Sequence, residues 1–325
     1  MKALVTGAGG FVGGHLLAHL RHNHTGISLF GTVLSASERT PALAALGCAT
    51  TEIDLREPGA VRDMLAAIRP DRIFHLAGQA FVPRSFEAPW ETLETNIRGT
   101  LNLLEAMRAL QVPARILVVG SADMYGASRA DGGPLDETTP FMPSSPYSVS
   151  KIAQDMLAWQ YTRAHGVFTV RVRPFNHIGP GQHTRFAISD WAFQIAEIEA
   201  GQRAPVIHVG SLDAARDFTD VRDVVRAYTL ALEDGQPGDV FNVCSGQAYT
   251  MRDVLERLIA LSPARVTVQT DASRVRPVEI PILYGDYSLL RQRTGWEPRI
   301  TLEQSLRDVL DEWRQRVRRT LGSSS

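Results

Sequence analysis

The 325-residue chain reads as an α/β protein: a doubly wound, mostly parallel sheet with a smaller interleaved α+β domain for substrate binding. Three observations predict this. Six short apolar runs alternate with helical stretches over the first 172 residues, the alternation that parallel strands joined by helices require. A glycine-rich turn closes the first run and opens the first helix. Residues able to do chemistry cluster at the carboxyl ends of the runs, where open sheets of this kind hold ligands.

Composition narrows the function classes. With 44% apolar and 21% charged residues and a formal charge of −1, no global field directs the chain to nucleic acid or a membrane surface. Cys48 and Cys244 are far apart and lack metal-ligand spacing, so neither a metal site nor a disulfide framework is expected, and the expected setting is a reducing cytoplasm. No signal-peptide pattern precedes the first strand, and no apolar run is long enough to span a bilayer. Residues 321–325 are expected to be a disordered tail.

Taken in order, Ala3-Leu4-Val5 is the first strand, followed by Thr6-Gly7-Ala8-Gly9-Gly10-Phe11-Val12-Gly13 and a helix marked by Phe11, Leu16, Leu17 and Leu20. Gly7, Gly10 and Gly13 suit a tight bend, a close approach of backbone to pyrophosphate, and close packing of helix on strand, with phosphate near Gly10 to Val12 at the helix N-terminus. A purely structural turn is the alternative. Residues 27–33 form the second strand. Its end carries no carboxylate of the kind that holds the ribose hydroxyls of NAD, whereas Ser35, Ser37 and Arg39 suit a 2′-phosphate. The expected cofactor is NADP(H) or NAD(H), with NADP(H) favoured; Glu38 lies close by, and Arg39 reads equally as a solvated loop residue.

Residues 51–55 read as the third strand. Asp54 at its end is placed to reach an adenine amino group or to cap a helix over 57–68. The fourth strand, 72–76, runs into Ala77-Gly78-Gln79, small residues that admit a cofactor close to the backbone. His75 reads there as a packed strand residue. A long helix over 89–110 contains Asn96 and Gly99, and the fifth strand, 115–119, ends in Gly120-Ser121-Ala122-Asp123-Met124-Tyr125-Gly126. Tyr147 and Lys151 then lie one turn apart on a helical face. Pro146 suits that helix's first turn, and Ser144 or Ser145 its cap. A free phenol ionises near pH ~10, so a neighbouring cation is the simplest way to make it useful at neutral pH. On spacing alone, an ordinary surface pair is the alternative.

The sixth strand, 167–172, ends at Arg173, and beyond it the alternation breaks down. Helical patterns at 186–200, 221–234, 250–261 and 302–319 mix with short strands at 206–209, 239–243 and 265–269. The dinucleotide-binding domain is drawn as residues 1–173 plus about 214–244, and the substrate domain as about 174–213 and 245–320. The basic end of the last helix needs no partner, because cations are favourable at a helix C-terminus.

Jointly, Gly7, Gly10 and Gly13, Ser121 four residues before Tyr125-Gly126, and Tyr147 with Lys151 resemble the extended short-chain dehydrogenase/reductase family over essentially the full chain. That resemblance implies a Rossmann-type sheet. Its GDP-sugar branch is resembled by His75-Leu76-Ala77-Gly78-Gln79, by Arg173-Pro174-Phe175-Asn176-His177-Ile178-Gly179-Pro180-Gly181-Gln182, by Arg216-Asp217-Phe218, by Asn242 to Gln247 and by Thr294-Gly295-Trp296-Glu297-Pro298.

The resemblance implies Ser121, Tyr147 and Lys151 as catalytic residues. It implies cofactor contacts from Gly7, Gly10, Phe11, Val12, Gly13, Arg39, Asp54, Leu55, Leu76, Ala77, Gly78, Tyr147, Lys151 and Arg173, and contacts to a GDP-sugar from Gln79, Ser121, Asp123, Asn176, Arg216, Arg276 and Glu279. Read from the residues alone, Arg216 would pair with Asp217 or Asp220, and Arg276 would face solvent. The implied reaction is reduction of the C4 ketone of GDP-4-keto-6-deoxy-D-mannose to GDP-D-rhamnose. Tyr147 gives the proton, Ser121 holds the keto oxygen, and Lys151 lowers the phenol's pKa and binds the nicotinamide ribose.

Related 4,6-dehydratases carry a glutamate in the triplet that here reads Ser121-Ala122-Asp123. Ala122 cannot act as an acid and Asp123 is one carbon shorter than glutamate, so a reductase fits better. A reductase giving GDP-6-deoxy-talose, a 4-epimerase and a dehydratase are the alternatives on this scaffold. A non-catalytic dinucleotide-binding module is disfavoured by the intact Ser121, Tyr147 and Lys151. Family analogy adds a homodimer through a four-helix interface near 90–110 and 145–164, although Leu101, Leu104 and Leu157 there could equally face the chain's own sheet.

Overall fold

The structure, a computed structural model, describes residues 1–126, 132–274 and 280–322. The chain begins β1 (Lys2–Thr6), α1 (Phe11–Asn23), β2 (Ser28–Val33), α2 (Pro41–Ala45), β3 (Cys48–Glu52), α3 (Pro58–Ile68) and β4 (Arg72–His75). Next come α4 (Val82–Glu87), α5 (Pro89–Leu93), α6 (Gly99–Ala109), β5 (Arg115–Val119), α7 (Pro146–His165) and β6 (Thr169–Pro174). Then follow β7 (Asn176–Ile178), α8 (Ala187–Glu199), β8 (Val206–Val209), β9 (Ala215–Asp220), α9 (Val221–Asp234) and β10 (Val240–Val243). The chain closes with β11 (Ala248–Thr250), α10 (Met251–Ala260), β12 (Thr267–Thr270), β13 (Ile282–Leu283), α11 (Ser288–Thr294) and α12 (Leu302–Gly322).

Seven strands form one parallel sheet in the order β10-β6-β5-β4-β1-β2-β3. The order reverses at β1, and the crevice beside that reversal is where such sheets bind dinucleotides. One face buries Leu16, Leu17 and Leu20 of α1 with Val224, Val225 and Tyr228 of α9. The other buries Leu65 of α3, Leu103 and Leu104 of α6, and Ala158 of α7. Each such leucine contributes roughly 1.5–3 kcal/mol on burial. A second body collects Trp191 and Ile195 of α8, Leu255 and Leu258 of α10, and Leu306 and Leu310 of α12. Among the described residues no helix is long and apolar enough to cross a membrane.

Three expectations differ. The last helix runs on through Gly322, so residues 321 and 322 are helix rather than the start of a disordered tail. The helix expected over 89–110 is interrupted by a π turn at Glu94–Arg98 between α5 and α6. Thr100 explains the widening locally, since its hydroxyl donates back to the Asn96 carbonyl at 2.8 Å, a bond that competes with the regular ladder. The third strand ends at Glu52 rather than residue 55, because its register on β2 runs out where Val33 meets Glu52. Leu104 is fully buried, and Leu101 and Leu157 pack against the same core, so these leucines face the chain's own sheet.

Candidate active site

Three strand ends and one helix build the site. Ser145 caps α7, accepting from the Ser148 amide at 3.1 Å, and Pro146 occupies the first turn. Tyr147 is thereby set at the helix's start, directed under the loop that follows β5, and only 7% of it is exposed. Ser121 lies close enough to its phenol to favour ionisation. Ser121 itself caps a short turn over Ala122–Met124, accepting from the Asp123 amide at 3.2 Å, which fixes its hydroxyl. One turn along α7, the Lys151 ammonium lies 5.9 Å from the centre of the Tyr147 ring and donates to the Val119 carbonyl at 2.9 Å.

The electrostatics favour a protonated phenol. Contrary to the expectation that Lys151 lowers it, the Tyr147 pKa is raised above the ordinary tyrosine value, by burial and then by the nearby Asp123 carboxylate, against the influence of Ser121. Burial lowers Lys151 to about 8. A phenol in this state can give a proton to a developing oxyanion but cannot take one at neutral pH.

The floor beside Lys151 is backbone. Asn96 in the π turn is fully buried. Its side-chain oxygen accepts from the Gln79 amide at 2.8 Å, and its nitrogen donates to the Gln79 carbonyl at 3.0 Å and to the Ser150 hydroxyl at 2.8 Å. Ser150 in turn donates to the Tyr147 carbonyl at 2.7 Å. A Cβ on Gly78 would sit 2.7 Å from the Asn96 oxygen and 3.9 Å from the Lys151 nitrogen, so glycine is required there.

The glycine turn fits a pyrophosphate. α1 begins without any side-chain cap, which leaves the Phe11, Val12 and Gly13 amides, the first three of the helix, without intrahelical acceptors. The Gly10 amide closes the turn on the Gly7 carbonyl at 3.1 Å. A Cβ on Gly13 would meet that same carbonyl oxygen at 2.4 Å, so helix and strand could not approach as they do. Phe11 stacks on His177, ring centres 6.1 Å apart. At the end of β2, Ser35 and Ser37 share a bond at 2.7 Å, and Arg39 lies 3.7 Å from Glu52 in an exposed pair.

The remaining expected residues fall in different places. Leu76 and Ala77 present their amides to the Thr6 hydroxyl, both at 3.1 Å. Leu55 is buried, and its carbonyl accepts from Asn102 at 2.8 Å. Asp54 caps no helix, since Glu57 holds that position before α3. It pairs instead with Arg56 at 2.6 Å, a bond that holds its carboxyl below the usual range.

Arg173 offers no guanidinium to a ligand. It is bonded to Asp155 at 3.0 Å, to the Tyr125 hydroxyl at 3.1 Å and to the Glu137 carbonyl at 3.0 Å, and lies 4.7 Å over the Phe141 ring. With Arg171, also on Asp155 at 2.6 Å, it ties β6 to α7. The Gln79 side chain likewise turns inward, to the Phe81 carbonyl and to Thr92.

Asn176 is exposed at the start of β7. Arg216 donates to the carbonyls of Ala215 and Ile280 at 2.8 and 2.7 Å. Neither expected acidic partner holds it: Asp217 takes Ser245 and Gly246, and Asp220 takes Arg222. Arg276 and Glu279 lie outside the described residues. Sequence reasoning missed Asn96 as a site residue, although an asparagine inside a helix just before Gly99 and Thr100 is a signal of local competition with the ladder. It also missed Asp155 and the hydroxyls of Thr6, Thr100 and Ser150, for which nothing in the pattern called.

The sequence profile of the GDP-mannose 4,6 dehydratase family matches residues 4–309. A GDP-6-deoxy-D-mannose reductase of Pseudomonas aeruginosa is 39% identical over 317 residues, covering 98% of both chains. A solved structure of RMD from Pseudomonas aeruginosa, complexed with NADPH, superposes with a TM-score of 0.86 at 38% identity, over 97% of this chain and 99% of that one. A UDP-glucose 4-epimerase of Thermotoga maritima, solved with UDP-glucose, gives a TM-score of 0.86 at 26% identity, over 98% of this chain and 100% of that one.

Proposed function

Because the chain belongs to the GDP-mannose 4,6 dehydratase family, within the extended short-chain dehydrogenase/reductases, we propose that it reduces the C4 ketone of GDP-4-keto-6-deoxy-D-mannose to GDP-D-rhamnose. It is a nicotinamide-dependent oxidoreductase. The observation that carries the reading is Tyr147, buried beside Ser121 and one turn from Lys151, with Asp123, one carbon shorter, where a related dehydratase carries its glutamate. Similarity to the reductase along nearly the whole of both chains supports it.

The cofactor, when bound, supplies the hydride. Ser121 and Tyr147 bind the keto oxygen, and Tyr147 passes its phenolic proton to that oxygen as the alkoxide develops, help worth ~10²–10⁴ in rate. Lys151 holds the nicotinamide ribose beside Gly78, and its charge stabilises the phenolate left behind. The amides of Phe11, Val12 and Gly13 hold the pyrophosphate. Ser35, Ser37 and Arg39 favour the 2′-phosphate of NADPH over NADH. Residues of about 174–213 and 245–320 form the substrate domain, with Asn176, Arg216, Arg276 and Glu279 on the GDP moiety, where two-pronged arginines suit a diphosphate.

Trp90 is 72%, Val149 45% and Met156 38% exposed on α5 and α7. A homodimer covering them completes the proposal. Light scattering checks it: Val149→Arg should turn a dimer into a monomer, and a wild-type monomer would refute it.

The deciding experiment follows nicotinamide absorbance with freshly made GDP-4-keto-6-deoxy-D-mannose, NADPH and NADH in parallel. Oxidation, with the C4 configuration of the product read by NMR, supports the reading. A second reading, 4,6-dehydration, draws on Asp123, close enough to shift Tyr147. Conversion of GDP-mannose to its 4-keto-6-deoxy form without added NADPH would support it instead.

A further inference from the structure

We infer that His75 is a positioning residue for both the cofactor and Tyr147: as a fixed tautomer between Thr6 and Thr100, it sets the wide turn from which Asn96 holds Gly78–Gln79 and the start of α7. The inference rests on reading Gly78 and Lys151 as cofactor contacts and Tyr147 as the proton donor.

The protons can be placed from both ends of the chain of bonds. The Thr6 hydroxyl oxygen accepts from two amides, Leu76 and Ala77, both at 3.1 Å. Its own proton is therefore left for Nδ1 of His75, at 2.8 Å. At the other end, the Thr100 hydroxyl spends its proton on the Asn96 carbonyl at 2.8 Å. Facing Nε2 of His75 at 2.9 Å, it can only accept. Both ends demand the same imidazole, with Nδ1 bare and Nε2 protonated. The Gln154 amide fills the other lone pair of Thr100 at 2.6 Å.

Thr6, His75, Thr100, Asn96 and Gln154 are all buried. A protonated ring would leave Thr6 without an acceptor and set a second cation near Lys151. Burial, and then Lys151, accordingly lower His75 to about 3. The ring is neutral at any working pH, so its contribution is geometric and does not titrate.

The consequence lies in what the chain joins. Thr6 and His75 end the two central strands, β1 and β4. Thr100 holds the carbonyl of Asn96, whose side chain grips both backbone groups of Gln79 and, through Ser150, the carbonyl of Tyr147. Six bonds, starting from His75 to Thr100, thus link the middle of the sheet to the two surfaces between which the cofactor must lie. Buried networks of this kind rigidify when fully satisfied and loosen when one member is lost.

The test measures NADPH affinity by its fluorescence in wild type, His75→Phe, His75→Gln, Thr100→Val and the Phe/Val double variant. Glutamine keeps one acceptor and one donor on a planar group; phenylalanine keeps neither. His75→Phe and Thr100→Val should each weaken NADPH about tenfold, glutamine should restore most of that loss, and the double variant should be no weaker than the poorer single, because one chain broken twice is broken once. With the GDP-sugar, Thr100→Val should lower kcat more than it raises KM.

Wild-type affinity in both Phe and Val variants, glutamine no better than phenylalanine, or losses that add would each overturn the inference. If His75→Phe does not melt cooperatively, Thr100→Val and His75→Gln decide between the same outcomes. A wild type with this binding pattern that leaves the 4-keto sugar untouched refutes the reaction and not the positioning role. A wild type that binds no NADPH overturns both.

Discussion

Lys151 donates to the Val119 carbonyl at 2.9 Å while keeping only 6% of its surface exposed. A buried ammonium with its charge turned toward a ligand site is a destabilising feature retained for function. Burial lowers its pKa from 10.5 to about 8. The destabilising charge is therefore present below about 8 and relieved as pH rises toward 10.5, at a cost on the order of 3 kcal/mol at neutral pH.

Lys151→Met should abolish turnover and raise the melting temperature at pH 7 by several degrees. The gain should shrink as pH climbs past 8, where the wild type loses its charge as well. Thermal scans at pH 7 and 9.5 check this, and an equal gain at both would show that the lysine's charge is not what costs stability.

Tyr147→Phe should reduce kcat by ~10²–10⁴, the range for a lost general acid. NADPH binding should change little, since Lys151, Gly78 and the glycine turn are untouched. Stopped-flow oxidation of NADPH beside a fluorescence titration separates the two effects. Full turnover in this variant would remove Tyr147 from the mechanism.

How much of this was legible depended on periodicity and on local chemistry. The strand–helix alternation, the turn at Gly7 to Gly13 and the capped start of α7 are written in short-range signals, and the structure follows them. The π turn was only half legible: the Thr100 bond to the Asn96 carbonyl is local, but Asn96 is also drawn to Gln79 and Ser150, neither of them adjacent in sequence. Arg173 misled for the same reason. Its position at a strand's carboxyl end suggests a ligand contact, but Asp155, eighteen residues earlier on α7, captures its guanidinium.

Arg39→Ala should raise the Kd for NADPH about tenfold while leaving NADH nearly unchanged, the loss of one charge-assisted phosphate contact. Its partner Glu52 is exposed, and the pair is long at 3.7 Å, so little holds the guanidinium away from an arriving phosphate. Equal effects on both cofactors would mean that Arg39 supports the loop and does not read the phosphate.

Asp217 offers the sharpest test of pH dependence. Fully buried, it accepts from the Ser245 amide and hydroxyl, each at 2.7 Å, and from the Gly246 amide at 2.9 Å, so it pins this loop against the strand that carries Arg216. Burial nonetheless outweighs those bonds and pushes its pKa up to about 6. A raised carboxyl pKa means that the protonated form is the better-tolerated one in the fold. This group's contribution therefore improves as pH falls through 6 toward its unfolded value, opposite in sign to an ordinary salt-bridged aspartate.

Asp217→Ala should destabilise the protein by about 1–3 kcal/mol for each amide left without an acceptor. The gap in melting temperature between it and wild type should be wider at pH 5 than at pH 7.5. A gap that narrows at pH 5 would mean that the amides, and not burial, govern this carboxylate.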